Sequence, residues 1–335
     1  MKSFLALLLV CACGGAATST PDAGPDAGAD GGADAGPTAI LVDPDSYPIE
    51  LAIDQYNVYW TQAGIFEGDG KGKIGKRQLG AGGQPSDLAL ALVDPSAMAL
   101  DADNVYWTSM NTDGGVYRTA KTGGAPVALA GQQPRAASVA VDTAGIYWST
   151  WGDPQQPGTG KVFSAHLDGS ARATLASGLS YPRAVAADST AIYFVSGAGV
   201  TRVPKSGAGP SVIATTARNQ FAASLGLDGD SLYFGDRDGA ILKVPKAGGA
   251  QVTVAAAMGS PSHLAIDAAE RAIYWTLVAP QGPNHYGAVY KAPLSGGTAT
   301  LVTRSFGISG FGESAISLEP GSVWFGADRL FKAAR

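Results

Sequence analysis

Seven times along the chain a short apolar strand ends in an acid: LAID (51–54), MALD (98–101), VAVD (139–142), VAAD (185–188), LGLD (225–228), LAID (264–267) and ISLE (316–319). Successive acids stand 47, 41, 46, 40, 39 and 52 residues apart. That period holds one four-stranded unit, and such a unit cannot bury its apolar surface without neighbours of the same kind. The repeat therefore constrains the fold before any single residue does.

A turn follows each acid, then a second apolar strand with an aromatic pair: VYWT (58–61), VYWT (105–108), IYWS (146–149), IYFV (192–195), LYFG (232–235), IYWT (273–276) and VWFG (323–326). Neighbouring residues of a strand point to opposite faces, so Tyr59 and Trp60 need burial on both sides of their sheet. Blades packed face to face around an axis supply that condition. Third strands follow, from GKIGKRQL to the final RLFKAAR, and six of them lead into Gly-rich hairpin turns. The seventh unit stops at Arg335 without a fourth strand, while residues 38–42 (TAILV) stand unpaired before the first unit. The expectation is an all-β, seven-bladed β-propeller of four-stranded antiparallel blades over residues 38–335, its ring closed by the N-terminal strand in the last blade. Gly 46 and Pro 20 in 335 residues agree with so many turns.

Pro48, Pro95, Pro182 and Pro261 each stand six residues before the acid of their unit, which gives PxxhAhD, a turn and then YW-T/S. This pattern resembles the YWTD repeat of the low-density-lipoprotein-receptor propellers and of related bacterial extracytoplasmic propellers. The resemblance implies the same blade architecture. Two departures limit it: the residue after the motif's T/S position is Gln62, Ser109, Thr150, Ser196, Asp236, Leu277 or Ala327, so the Asp occurs once, and there are seven units against six in those receptors. Receptor-type ligand chemistry does not carry over. The recurring Pro, Asp and aromatic residues have architectural explanations: a strand's first position tolerates Pro, and a terminal Asp accepts N–H groups of the turn after it.

Met1, Lys2 and Ser3 precede the run FLALLLV (4–10), too short to span a bilayer but suited to a secretory signal peptide. Val10-Cys11-Ala12-Cys13 resembles a bacterial lipobox, which implies cleavage after residue 12 and lipidation of Cys13. Cys11 is the rival, preceded by a Val larger than cleavage sites prefer. Gly14 carries no acidic retention signal, which points to the outer membrane. Residues 13–37 then form the lipidated Cys and an Ala/Gly/Asp/Pro tether, too poor in apolar side chains to fold alone. Four of the 28 acids lie in that tether and Lys2 in the leader, so residues 38–335 carry 24 acids against 22 bases. So balanced a body lacks the basic stripe that nucleic acid requires. The expected partners are the membrane, through the lipid, and a protein, glycan or small molecule.

No P-loop, nucleophile elbow or zinc motif occurs, and no cofactor is called for. His166 lies near a hairpin at the end of a third strand and reads as a surface residue. Propeller ligands are expected around the channel mouth, where inner strands begin and the loops between second and third strands gather. The candidate ligand-binding residues there are Glu50, Arg135, Trp151, Arg183, Phe221, His263, His285 and Glu313. Trp151 lies outside the repeated aromatic positions, in one of three long loops (61–73, 149–161 and 276–287). His263, His285, Glu313 and Glu50 are expected to cluster over blades six, seven and one. These features imply a binding or scaffolding module, with a metal-assisted hydrolase or lyase in the mouth as the alternative.

Overall fold

The computed structural model describes residues 40–43, 48–64, 68–80, 83–215, 224–236, 239–256, 259, 261–278, 286–306, 315–326 and 329–335. Every regular element among them is a strand, and the strands form seven four-stranded antiparallel sheets. Blade one runs Pro48–Ile53, Asn57–Gln62, Gly72–Gln78 and Ser86–Leu92. The next five follow the same order. Blade seven takes Ala315–Glu319, Ser322–Gly326 and Leu330–Ala334 from the C-terminal end and Ile40–Asp43 from the N-terminal end, the last pairing antiparallel with Leu330–Ala334. The N-terminal closure expected from the missing fourth strand is thus present. The expected signal peptide, Cys13 and the whole of the tether lie outside the described residues.

In each inner hairpin the apolar residue three before the acid faces the second member of the aromatic pair, as in Leu51 against Trp60, Val139 against Trp148 and Leu264 against Trp275. The two members of the pair then point to opposite blade faces. Tyr59 packs with Met98 and Trp107 of blade two, while Trp60 packs with Ala315 and Trp324 of blade seven. The same arrangement recurs around the ring, as with Tyr106 against Trp148 and Tyr233 against Trp275, so the described core falls into one cluster per blade interface. Both members of the pair are buried for that reason, Tyr59 at 1% and Trp60 at 0% exposure. Gly75 occupies the third-strand position that carries Tyr117 in blade two and Phe163 in blade three. A Cβ there would come within 2.1 Å of the Trp60 ring.

The repeated acids do more than cap turns. Asp54 Oδ1 accepts the N–H groups of Tyr56 and Asn57 at 2.8 Å each, and its Oδ2 accepts the Tyr59 hydroxyl and Lys121 Nζ, each at 2.9 Å. Lys121 belongs to blade two. It stands one residue after the third strand, and the equivalent position holds Lys205, Lys246 and Arg335, which pair with Asp142, Asp188 and Asp267 of the preceding blades. Leu167 takes that position in blade three, and there Arg118 of blade two crosses to the Leu167 carbonyl instead, at 3.1 Å. Burial opposes the charge on Asp54, but Lys121, the two N–H groups and the Tyr59 hydroxyl outweigh it and hold its carboxyl at about 2 against an ordinary 3.8. Tyr106, buried and bonded to Asp101 at 2.6 Å, is raised to about 12. The end of the ring opposite the mouth is therefore an architectural belt of charge linking blade to blade.

Candidate functional site

At the mouth, the residue four before each acid forms a ring: Glu50, Ala97, Ser138, Ala184, Ser224, His263 and Ala315. Two of these make inter-blade bonds, Ser138 Oγ accepting from Val185 N at 2.9 Å and Ser224 Oγ from Leu264 N at 3.2 Å. Glu50 and His263 alone are ionisable. Blade seven separates them in the ring, yet the residue between is Ala315, whose methyl leaves room, and His263 Nε2 lies 3.6 Å from Glu50 Oε2. The imidazole is buried at 7% exposure, with Nδ1 3.1 Å from Ser262 Oγ. Local bulges set both residues: the inner-strand register slips between Pro48 and Glu50 and between Pro261 and Leu264. The second-strand hydroxyls of Thr61 and Thr276 accept the displaced N–H groups of Glu50 and His263 at 3.1 Å. The T of the YWT pattern thus positions the mouth residues. His285, Glu313 and Phe221 lie outside the described residues. Among the described ones no three His, Cys, Asp or Glu side chains converge as metal ligands would.

The connection from each outer strand to the next blade is also repeated. Ten residues before the acid stand Ala91, Gln132 and Gly178, and seven before it stand Asp94, Arg135 and Tyr181, all in the left-handed region with φ between 41° and 72°. Because three blades share this backbone, its strain belongs to the architecture. The side chains differ. Asp94 accepts the Gly68 N–H from the loop of the preceding blade, its two oxygens at 3.0 and 3.1 Å. Tyr181 donates its hydroxyl to the Pro154 carbonyl of the preceding loop at 3.1 Å. Arg135, the third member, makes no such link among the described residues. Trp151 lies next to Tyr181, ring centroids 5.3 Å apart, and Arg183 covers its ring at 5.1 Å. The structure thus brings the candidates Trp151 and Arg183 together, one face of the indole being covered by the guanidinium.

Beside this group a cavity of about 720 Å³ opens between blades two and three, lined in part by Gln132, Arg135, Thr150, Asp153, Lys161 and Arg172. Loop length creates it. The loop of blade two between second and third strands has five residues (110–114), whereas that of blade three has nine (151–159). Arg135 was legible as a mouth residue. Lys161 and Arg172 were not, since they lie on a third strand and just before a fourth, and only the gap over the short loop joins them to Arg135.

No family model matches the chain, and neither does any curated protein. Solved structures do match. The computationally designed Ika8 protein is 13% identical with a TM-score of 0.58, the alignment covering 90% of this chain and 99% of that one. The WD40 β-propeller domain of Doa1 is 13% identical at 0.59, covering 89% and 95%. A chain of a mitotic checkpoint complex is 15% identical at 0.65, covering 95% and 99%. At such identities the likeness defines the fold alone, and the chain is a seven-bladed β-propeller.

Proposed function

We propose that the protein is a lipoprotein of the bacterial cell envelope, anchored through Cys13 and its tether, whose propeller is a recognition scaffold acting at the mouth end. The finer relationship, to YWTD-type repeats, rests on the PxxhAhD and YW-T/S pattern. One observation carries the functional reading. Five of the seven repeated acids, Asp54, Asp142, Asp188, Asp228 and Asp267, join blade to blade, while Glu50, Arg135, Trp151, Arg183 and His263, which break the repeat, all lie where inner strands begin or second strands end. A fold that needed nothing there would repeat there too. Placement at the outer membrane rests on Gly14 after the lipidated Cys.

Site-specific photo-crosslinking tests the recognition claim. A photoreactive residue at exposed Gln155, in the blade-three loop at the mouth, is expected to give a discrete adduct in intact cells. One at exposed Ala247, in the blade-five hairpin at the opposite end, is expected to give none. Equal adducts from both positions, or adducts from Ala247 alone, would overturn it. Mass spectrometry of the mature N-terminus tests the anchor: a diacylglyceryl Cys13 is expected, and an unmodified start beyond residue 13 would refute it.

A further inference from the structure

We infer that the cavity between blades two and three binds an acidic saccharide, with a uronate carboxylate held by Arg135. This rests on reading the mouth end as the recognition face and names the chemistry of one part of it. Three cations, Arg135, Lys161 and Arg172, line the cavity against one carboxylate, Asp153. None of the three has a carboxylate partner among the described residues, whereas Lys121, Lys205, Lys246 and Arg335 all do. So concentrated a positive charge, in a body whose acids and bases nearly balance, is a local feature of this cavity.

The Arg135 loop is held before any ligand arrives. Arg135 N donates to the Asn111 carbonyl at 2.8 Å, its own carbonyl accepts from Trp151 N at 2.9 Å, and Gln133 N donates to the Gly114 carbonyl at 2.7 Å. The Gln133 side chain accepts the Trp148 indole N–H at 3.3 Å and donates to the carbonyls of Gly131 and Gln132. A guanidinium on so fixed a backbone loses little freedom on taking a carboxylate in the two-pronged geometry it favours. The rest of the wall suits a sugar. Thr112, Thr150, Thr174 and Gln132 offer hydroxyl and amide groups, and the half-buried Phe163, stacked on Trp148 at 5.3 Å, offers a ring for a pyranose C–H face. Hydroxyl partners and a ring suit a polyhydroxylated acid better than a run of carboxylates alone. A cavity of about 720 Å³ takes two or three pyranose rings.

Calorimetric titration of the full-length protein with trimannuronate, mannotriose and hexaglutamate tests this. Trimannuronate is expected to bind, to weaken at least fivefold as NaCl rises from 50 to 300 mM, and to weaken about tenfold in Arg135→Gln and again in Arg172→Gln. Mannotriose is expected to bind at least tenfold more weakly than the uronate. Arg202→Gln, on the third strand of blade four and outside the cavity, is the control and is expected to leave trimannuronate binding unchanged. Tighter binding of hexaglutamate than of trimannuronate would assign the cavity to an acidic peptide and overturn the proposal. Absence of binding by all three probes would overturn it too, as would binding indifferent to Arg135→Gln with the melting temperature intact. Crosslinks from Gln155 persisting in that case would leave the scaffold reading standing, whereas their loss from wild-type cells with trimannuronate still binding would remove the scaffold reading alone.

Discussion

Asp54→Asn removes one charge from the inter-blade belt while keeping an amide oxygen for the turn. The carboxyl is held at about 2 against an ordinary 3.8, a difference equivalent to about 2.4 kcal/mol at 1.36 kcal/mol per pH unit. The side chain is 21% exposed and Lys121 14%, so solvent screening brings the expected loss to about 1–2 kcal/mol at pH 7. The folded value is depressed, so the contribution is fully present above the unfolded value near 4 and is lost as pH falls from about 4 through 2. Urea denaturation of wild type and Asp54→Asn at pH 7, 5, 4 and 3 measures it. The gap is expected to hold from pH 7 to 5 and to narrow by pH 3. A gap that stays constant or widens toward acid would refute the argument that the charged carboxylate links the blades.

Gly75→Ala forces a methyl against the Trp60 ring, and a loss of about 1–3 kcal/mol is expected from denaturant midpoints. A chain beginning at Pro48 loses the strand Ile40–Asp43, with it the bond from Arg77 Nη1 to the Val42 carbonyl at 2.7 Å, and exposes an unpaired edge along Leu330–Ala334. Light scattering is expected to show aggregation at concentrations where the full chain stays monodisperse.

The blades were legible because each repeat carries the period-two and turn signals of its strands, and because Tyr59 and Trp60 side by side demand burial on both faces. Closure was legible from the fourth strand missing after Arg335. The belt of charge was not read. Asp54 and Lys121 are 67 residues apart, yet a signal existed: Lys121, Lys205, Lys246 and Arg335 recur at the same place at the ends of third strands. Leu79, Leu167 and Leu294 at that place obscured it. At the mouth, sequence position brought out Glu50 and His263 as inner-strand residues. Their approach across blade seven depends on the small Ala315 and on two register bulges. The cavity depends on a difference between two loop lengths. Phe221, His285 and Glu313 fall outside the described residues, so the cluster expected over blades six, seven and one is represented by its His263 and Glu50 members.

The central claim is a division of labour, in which the repeated belt and core residues hold the ring together while residues of the mouth and of the cavity that runs from it between blades two and three serve recognition. Urea denaturation of the triple variant Arg135→Gln, Lys161→Gln, Arg172→Gln at pH 7 tests it most directly. Removing three cations with no carboxylate partners among the described residues is predicted to leave stability unchanged or raise it by up to about 1 kcal/mol, through lost mutual repulsion. A loss of more than about 2 kcal/mol would show that these cations support the fold and would contradict the account.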